Sequence, residues 1–324
     1  MRPWAGVRSA AIGVFLTVGA VLLAGCQITS TAKQAAPDPG GSGASASGGP
    51  TITPTVTTPD PPVVPKLPDG STKIFPGHIL VAYYGTSGTG SLGVLGEASP
   101  DAITERLRKA AAPFAQGGRK VQIVYELIVT VADGFPGPDG NYSHDISHAD
   151  VQRYIQAAKR NNALLVLDLQ PGRSDFLSVA KRWDWALKNP WVGLALDPEW
   201  HMPPGEIPAQ QIGTVDAAGI NRVADYLAAL TRQNHLPQKL FMLHQFTPAM
   251  ITHIGRVHRH DDLAEVQHVD GFGPRANKLG TYHRVARPGR FHMGFKLFYD
   301  EDTDMFSPKD LLKVLPQVQF VSYQ

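Results

Sequence analysis

Eight short runs rich in branched and aromatic residues recur along the chain, and segments with helical spacing separate several of them. The runs are His78–Tyr84, Val121–Val131, Ala163–Leu169, Trp191–Asp197, Lys239–Phe246, Val266–Phe272, His292–Phe298 and Val318–Tyr323. Helices are expected over Asp101–Ala115, Ala149–Lys159, Asp175–Lys188, Asp216–Asn234 and Pro308–Leu315; in the fourth, Ile220, Val223, Leu227 and Leu230 fall on one face. Strand–helix alternation implies a parallel sheet with right-handed crossovers. Eight strands in about 250 residues match a single closed (β/α)8 barrel of TIM type, an α/β fold. The competing architecture is an open doubly wound sheet, against which stands the lack of a glycine-rich dinucleotide fingerprint. The helix between the sixth and seventh runs is the least marked. Arg275, Lys278, Arg284, Arg287 and Arg290 make that segment basic; it reads as a solvated face, with contact to anionic wall polymers or phosphate as the alternative.

The barrel accounts for residues 73–324; the residues before it have a different character. Arg2 and Arg8 precede an apolar stretch, Ala10–Ala24, that ends in Leu23-Ala24-Gly25-Cys26. This resembles the bacterial lipoprotein signal, in which small residues precede a cysteine that receives the lipid. The resemblance implies a signal peptide over 1–25 and a lipid (palmitate-type) membrane anchor on Cys26, facing the extracytoplasmic side. The apolar stretch is too short for a transmembrane helix. Cys26 is also the sole cysteine, so no intrachain disulfide can form. Residues 26–72 are rich in Pro, Gly, Ser, Thr and Ala without apolar periodicity, and read as a flexible tether. A net charge of +2 with 18% charged residues gives no global attraction for nucleic acid.

Candidate chemistry is concentrated in Trp191–Met202, WVGLALDPEWHM. On a strand, Val192, Leu194 and Leu196 share one face, while Gly193, Ala195, Asp197 and Glu199 share the other. Three aliphatics suit a helix-covered exterior. Two small residues followed by two acids suit a crowded barrel interior that opens into a polar mouth, and barrel enzymes hold their chemistry at the C-terminal ends of the strands. Two like charges in a partly enclosed site raise one pKa, giving a protonated acid beside an ionised partner.

Gly193–Trp200, GLALDPEW, resembles the strand-four signature of the chitinase-like glycoside hydrolases (family 18). That resemblance implies Glu199 as the proton donor and Asp197 as its orienting partner. Ala82-Tyr83-Tyr84-Gly85 and Phe298-Tyr299-Asp300 resemble further segments of the same family. The first two aspartates of its D-x-x-D-x-D-x-E pattern are Val192 and Ala195 here, and Tyr299-Asp300 falls on the seventh run rather than the sixth. A D-x-E on the fourth strand also occurs in the lysozyme-like family 25 barrels.

Glu126, Asp168, Gln170, His244, Gln245 and Asp270 interrupt otherwise apolar runs. Burying such a group unpaired costs about 1–3 kcal/mol, so each needs a partner or a function. Glu126 or Asp270 is the candidate second carboxylate of a two-acid glycosidase. Tyr83, Tyr84, Trp200, Phe246, Phe272 and Tyr299 are candidates for stacking on sugar rings, whereas Trp183 and Trp185 read as helix–sheet packing. His253, His258, His260, Asp261 and Asp262 form a local cluster without a familiar metal spacing. His244, His268 and Asp270 are the alternative metal set, inside the barrel. The expectation is a lipid-anchored glycoside-hydrolase-like protein acting on a polysaccharide or cell-wall glycan, with no metal or organic cofactor. The alternatives are a non-catalytic saccharide-binding or wall-scaffolding barrel and a metal-dependent hydrolase.

Overall fold

Strand alternation fixes which side chains fill the centre of the fold. The computed structural model describes residues 64–324, so the expected signal peptide, Cys26 and most of the expected tether lie outside the described residues. Within these, eight parallel strands close on themselves: β1 (His78–Gly85), β2 (Lys120–Ala132), β3 (Leu164–Leu169), β4 (Val192–Leu196), β5 (Lys239–Gln245), β6 (Leu263–Val269), β7 (His292–Leu297) and β8 (Val318–Tyr323). Each pairs with its sequence neighbours, and β8 and β2 both pair with β1, which closes the ring. A short strand, Ser143–Asp145, adds antiparallel to the end of β2. The fold is a (β/α)8 barrel of TIM type.

Val192, Leu194 and Leu196 belong to the outer apolar layer between strands and helices, while Ala195 joins the lumen with Leu80, Ala82, Val124, Val166, Met242 and Phe320. Gly193 is required by close approach: a Cβ there would stand 2.5 Å from the Leu240 carbonyl oxygen on the next stave. Leu67, Ile74 and Phe75 pack into the N-terminal end of the lumen, and Trp191 Nε1 donates to the Lys66 carbonyl at 2.7 Å. This end of the barrel is plugged by hydrocarbon, so polar chemistry is confined to the other end.

The helices are α1 (Pro100–Ala111), α2 (His148–Asn161), α3 (Phe176–Arg182), α4 (Asp184–Leu187), α5 (Ala217–Gln233), α6 (Arg275–Val285) and α7 (Pro308–Leu311). Helix α5 buries Ile220, Val223, Leu227 and Leu230, and Asp216 caps its start by accepting from the Ala218 amide at 2.9 Å. Trp183 separates α3 from α4, where one helix was expected. Its ring is fully buried and its Nε1 donates to Thr130 Oγ1, so local packing outweighs continuation of the helix.

Two further expectations are corrected. The poorly marked segment between β6 and β7 does form a helix, α6, and Lys278 within it is buried rather than solvated, 2.9 Å from Asp302. Its weak amphipathic pattern hid the helix, because a lysine occupies a core-facing position. The crossover without an α-helix lies instead between β5 and β6, where 3-10 turns at Pro248–Met250 and Ile254–Arg256 flank a two-residue strand, Ile251–Thr252. β6 also begins three residues earlier than its apolar run suggested, yet His268 and Asp270 still follow in lumen phase. Among the described residues no helix is long and apolar enough to cross a membrane.

Candidate active site

Inward-facing positions at the C-terminal end of the barrel are occupied almost entirely by ionisable groups. Glu126 comes from β2, Asp168 from β3, His244 from β5, His268 from β6 and Lys296 from β7; Asp197, Glu199 and Asp270 follow directly after β4 and β6. All but Glu199 are buried, and Glu199 is partly exposed at the mouth. The pairing register places His244 beside His268, and His268 beside Gly294. A Cβ at Gly294 would stand 2.4 Å from His268 Nδ1, so only glycine leaves room for this imidazole.

Asp197 ends β4 and shapes the turn that leaves it. Its Oδ1 accepts from the Glu199 amide at 3.2 Å, capping the 3-10 turn Pro198–Trp200. Pro198 cannot extend the ladder, so the chain turns here and carries the Glu199 carboxyl over the lumen. The fold thus uses one acid to position the other.

His244 lies between two carboxylates. Its Nδ1 is 2.9 Å from Asp270 Oδ2, aligned as a hydrogen bond, and its Nε2 is 2.9 Å from Glu126 Oε1. The second contact is close but out of line, because neither atom has a hydrogen-bonding partner of proper geometry. His268 Nε2 lies 2.7 Å from Ser322 Oγ. Tyr84 donates to Asp168 Oδ2 at 2.8 Å and accepts from Gln170 Nε2 at 3.2 Å. The Lys296 ammonium stands 3.4 Å from the centre of the Tyr84 ring and 5.4 Å from that of Phe298.

With so many acids in a low-dielectric lumen, their ionisation separates. Burial pushes Glu199 up to about 7, with the Asp270 charge acting in the same direction. Burial also raises Asp168 to about 6 and holds Asp197 well above the carboxylate range; in both, the His244 charge opposes the rise. For Asp270, burial acts upward but the charge and hydrogen bond of His244 prevail, taking it down to about 2. Glu126 is likewise lowered, because His244, His268 and Lys296 together outweigh its burial. Burial depresses His268 to about 3. His244 is raised despite burial because Asp270 and Glu126 face it.

Of the residues expected at the site, Glu126, Asp168, Asp197, Glu199, His244 and Asp270 converge on this region. Gln245 does not: it lies on the outer face of β5, where its Oε1 accepts from Gln267 Nε2 at 2.7 Å. Tyr83 also belongs to the outer layer, with its ring edge-on to Tyr299 and Tyr323. Tyr299 stacks on Tyr323 and is 43% exposed, outside the lumen. Strand period decides these positions, since the neighbouring Tyr84 points inward. Trp200 sits half-buried on the turn at the mouth, and Phe272, 50% exposed, stands edge-on to Phe298. Lys296 and Ser322 were missed. Lys296 interrupts an apolar strand at an inward position, the same signal that identified Glu126.

The surface histidines pair locally. His253 contacts Asp216, His258 and His260 both contact Asp225, and Asp262 pairs with Arg232. Asp69, His78, Arg108 and Lys120 line a cleft at the N-terminal ends of β1 and β2, and none of the converging acids reaches it. Neither the known protein-family models nor the curated proteins include a match to this chain.

Proposed function

We propose that the protein is a hydrolase of glycosidic bonds in a polysaccharide or cell-wall glycan, held outside the cytoplasm by a lipid on Cys26. The observation carrying this reading is the position of Glu199 on the turn that Asp197 caps after β4. Glu199 is a carboxyl at the barrel mouth, kept protonated near neutrality by burial, beside acids from three other strands. A proton donor of that kind suits departure of an alcohol oxygen, because a catalytic acid works best with its pKa near the working pH.

In the proposed reaction Glu199 gives its proton to the glycosidic oxygen as the bond to the anomeric carbon breaks. Water adds to that carbon, and its proton passes to an ionised carboxylate, for which Asp270 is the candidate. Its Oδ1 has no hydrogen-bonding partner among the described residues. Asp197 holds the turn that carries the donor and so acts as a positioning residue. Trp200 and Phe272 offer planes for the apolar faces of sugar rings.

The test is a substrate panel of chitin-like, peptidoglycan and neutral glucan polymers, scored in parallel for bond cleavage and for binding. Release of new reducing ends from one polymer class supports the reading. Saturable binding without cleavage on every polymer would replace it with a saccharide-binding barrel. Membrane fractionation of a Cys26→Ser variant tests the anchor, with release into the soluble fraction as the expected result.

A further inference from the structure

We propose that Glu126, His244 and His268 form a binding site for one divalent transition-metal ion of zinc-like preference within the barrel lumen. The inference rests on donor geometry and stands whether or not the protein cleaves glycans. One carboxylate oxygen and one nitrogen from each imidazole lie within 4.8 Å of one another, and all three side chains are buried. Donors around a tetrahedral ion at about 2.0–2.2 Å stand roughly 3.4 Å apart, so these three are near the spacing of such a set and leave a fourth position for water or a ligand.

The far side of each imidazole is already engaged. His244 Nδ1 lies 2.9 Å from Asp270 Oδ2, and a bound ion would take the place of the proton between His244 Nε2 and Glu126 Oε1, which stand 2.9 Å apart. His268 Nε2 lies 2.7 Å from Ser322 Oγ; with that nitrogen donating, the lone pair falls on Nδ1. His244 Nε2, His268 Nδ1 and both Glu126 oxygens have no hydrogen-bonding partner among the described residues, though all are buried. Buried polar atoms without aligned partners are rare unless something else satisfies them. A carboxylate or hydroxyl behind each ligating imidazole is the outer shell that metal sites employ.

Two further features agree. Gly294 supplies the space that His268 Nδ1 needs, at a point where a Cβ would stand 2.4 Å away. The Glu126 and Asp270 carboxylates both face His244 here, so anionic oxygens flank the position of a divalent cation. Two imidazoles and a carboxylate favour zinc, cobalt or iron over magnesium or calcium, which prefer oxygen alone.

The surface trio Asp225, His258 and His260 serves as an internal control. There both imidazoles contact the same oxygen, at 3.2 and 3.0 Å, and two of the three side chains are exposed. The experiment treats the full-length protein with a chelator and then titrates it with cobalt(II), following equilibrium dialysis and visible absorption. Expected is one strongly bound cobalt per chain with the intense visible bands of low-coordinate geometry, displaced by zinc(II). Glu126→Gln and His268→Ala should each weaken binding by at least 100-fold, and Ser322→Ala by about 10–100-fold. His258→Ala should leave it unchanged. If a ligand variant fails to fold, the Ser322→Ala arm decides. No cobalt on the unmutated chain, equal affinity in Glu126→Gln or Ser322→Ala, or loss confined to His258→Ala would each overturn the proposal.

Discussion

The backbone amide of Glu199 donates to Asp197 Oδ1 across 3.2 Å, so the acid that ends β4 also builds the turn presenting the next acid. The two carboxyls therefore have different tasks although only one residue separates them. Asp197 is buried beneath the mouth, and Glu199 reaches into it.

Replacement of Asp197 separates its structural role from its charge. Asp197→Asn keeps an acceptor oxygen for the Glu199 amide and removes an ionisable group that burial already disfavours. That variant should be at least as stable as the parent at pH 7. Asp197→Ala loses the cap and should be about 1 kcal/mol less stable than Asp197→Asn. Urea unfolding of the two variants provides the comparison, and equal midpoints would refute the capping role.

Glu199 links stability to pH in a direction that can be worked out. Its carboxyl titrates near 4.5 when unconstrained and near about 7 in the folded chain, so the native state holds the proton longer. Native stability is therefore lost as pH rises from 4.5 through 7, and below 4.5 both states are protonated and nothing is lost. Glu199→Gln imitates the protonated form at every pH. It should be more stable than the parent by roughly 2 kcal/mol at pH 8, trimmed from the full shift because the carboxyl is partly solvated. The gain should disappear near pH 4. A variant less stable than the parent at pH 8 would show that the site does not strain this carboxylate.

Lys278 and Asp302 make a buried ion pair at 2.9 Å, and the lysine also donates to the carbonyls of Gly271 and Lys296. Asp302 in turn accepts from the amides of Gly273 and Phe298, so the pair ties α6 to the loops after β6 and β7. Lys278→Met should destabilise the fold by about 3–5 kcal/mol, since it strands a buried carboxylate. Thermal or urea unfolding checks this; a loss below about 1 kcal/mol would mean that Asp302 is adequately solvated.

The barrel was legible because its strands carry an unmixed pattern. Apolar residues facing the helices alternate with small or polar residues facing the lumen, and all eight runs became staves. Asp197 and Glu199 were visible because they continue the inward phase of Gly193 and Ala195. The phase of β1 and β5 was harder to read. Tyr83 and Tyr84 are equally aromatic, and His244 and Gln245 equally polar, so which member of each pair faces inward depends on pairing register. Helix α6 was hidden because its core-facing position holds Lys278, whose partner Asp302 comes from a distant loop. The contacts of His244 with Glu126 and Asp270 join three strands and have no local sequence signature.

The most direct test of the proposed chemistry compares initial rates of reducing-end release by the parent protein and by Glu199→Gln. The polymer is the one the parent cleaves best, at saturating concentration. Loss of a positioned general acid predicts a fall of about 10²–10⁴ in kcat, with polymer binding and fold retained. Turnover by Glu199→Gln within about threefold of the parent would contradict the account and remove Glu199 from the role of proton donor.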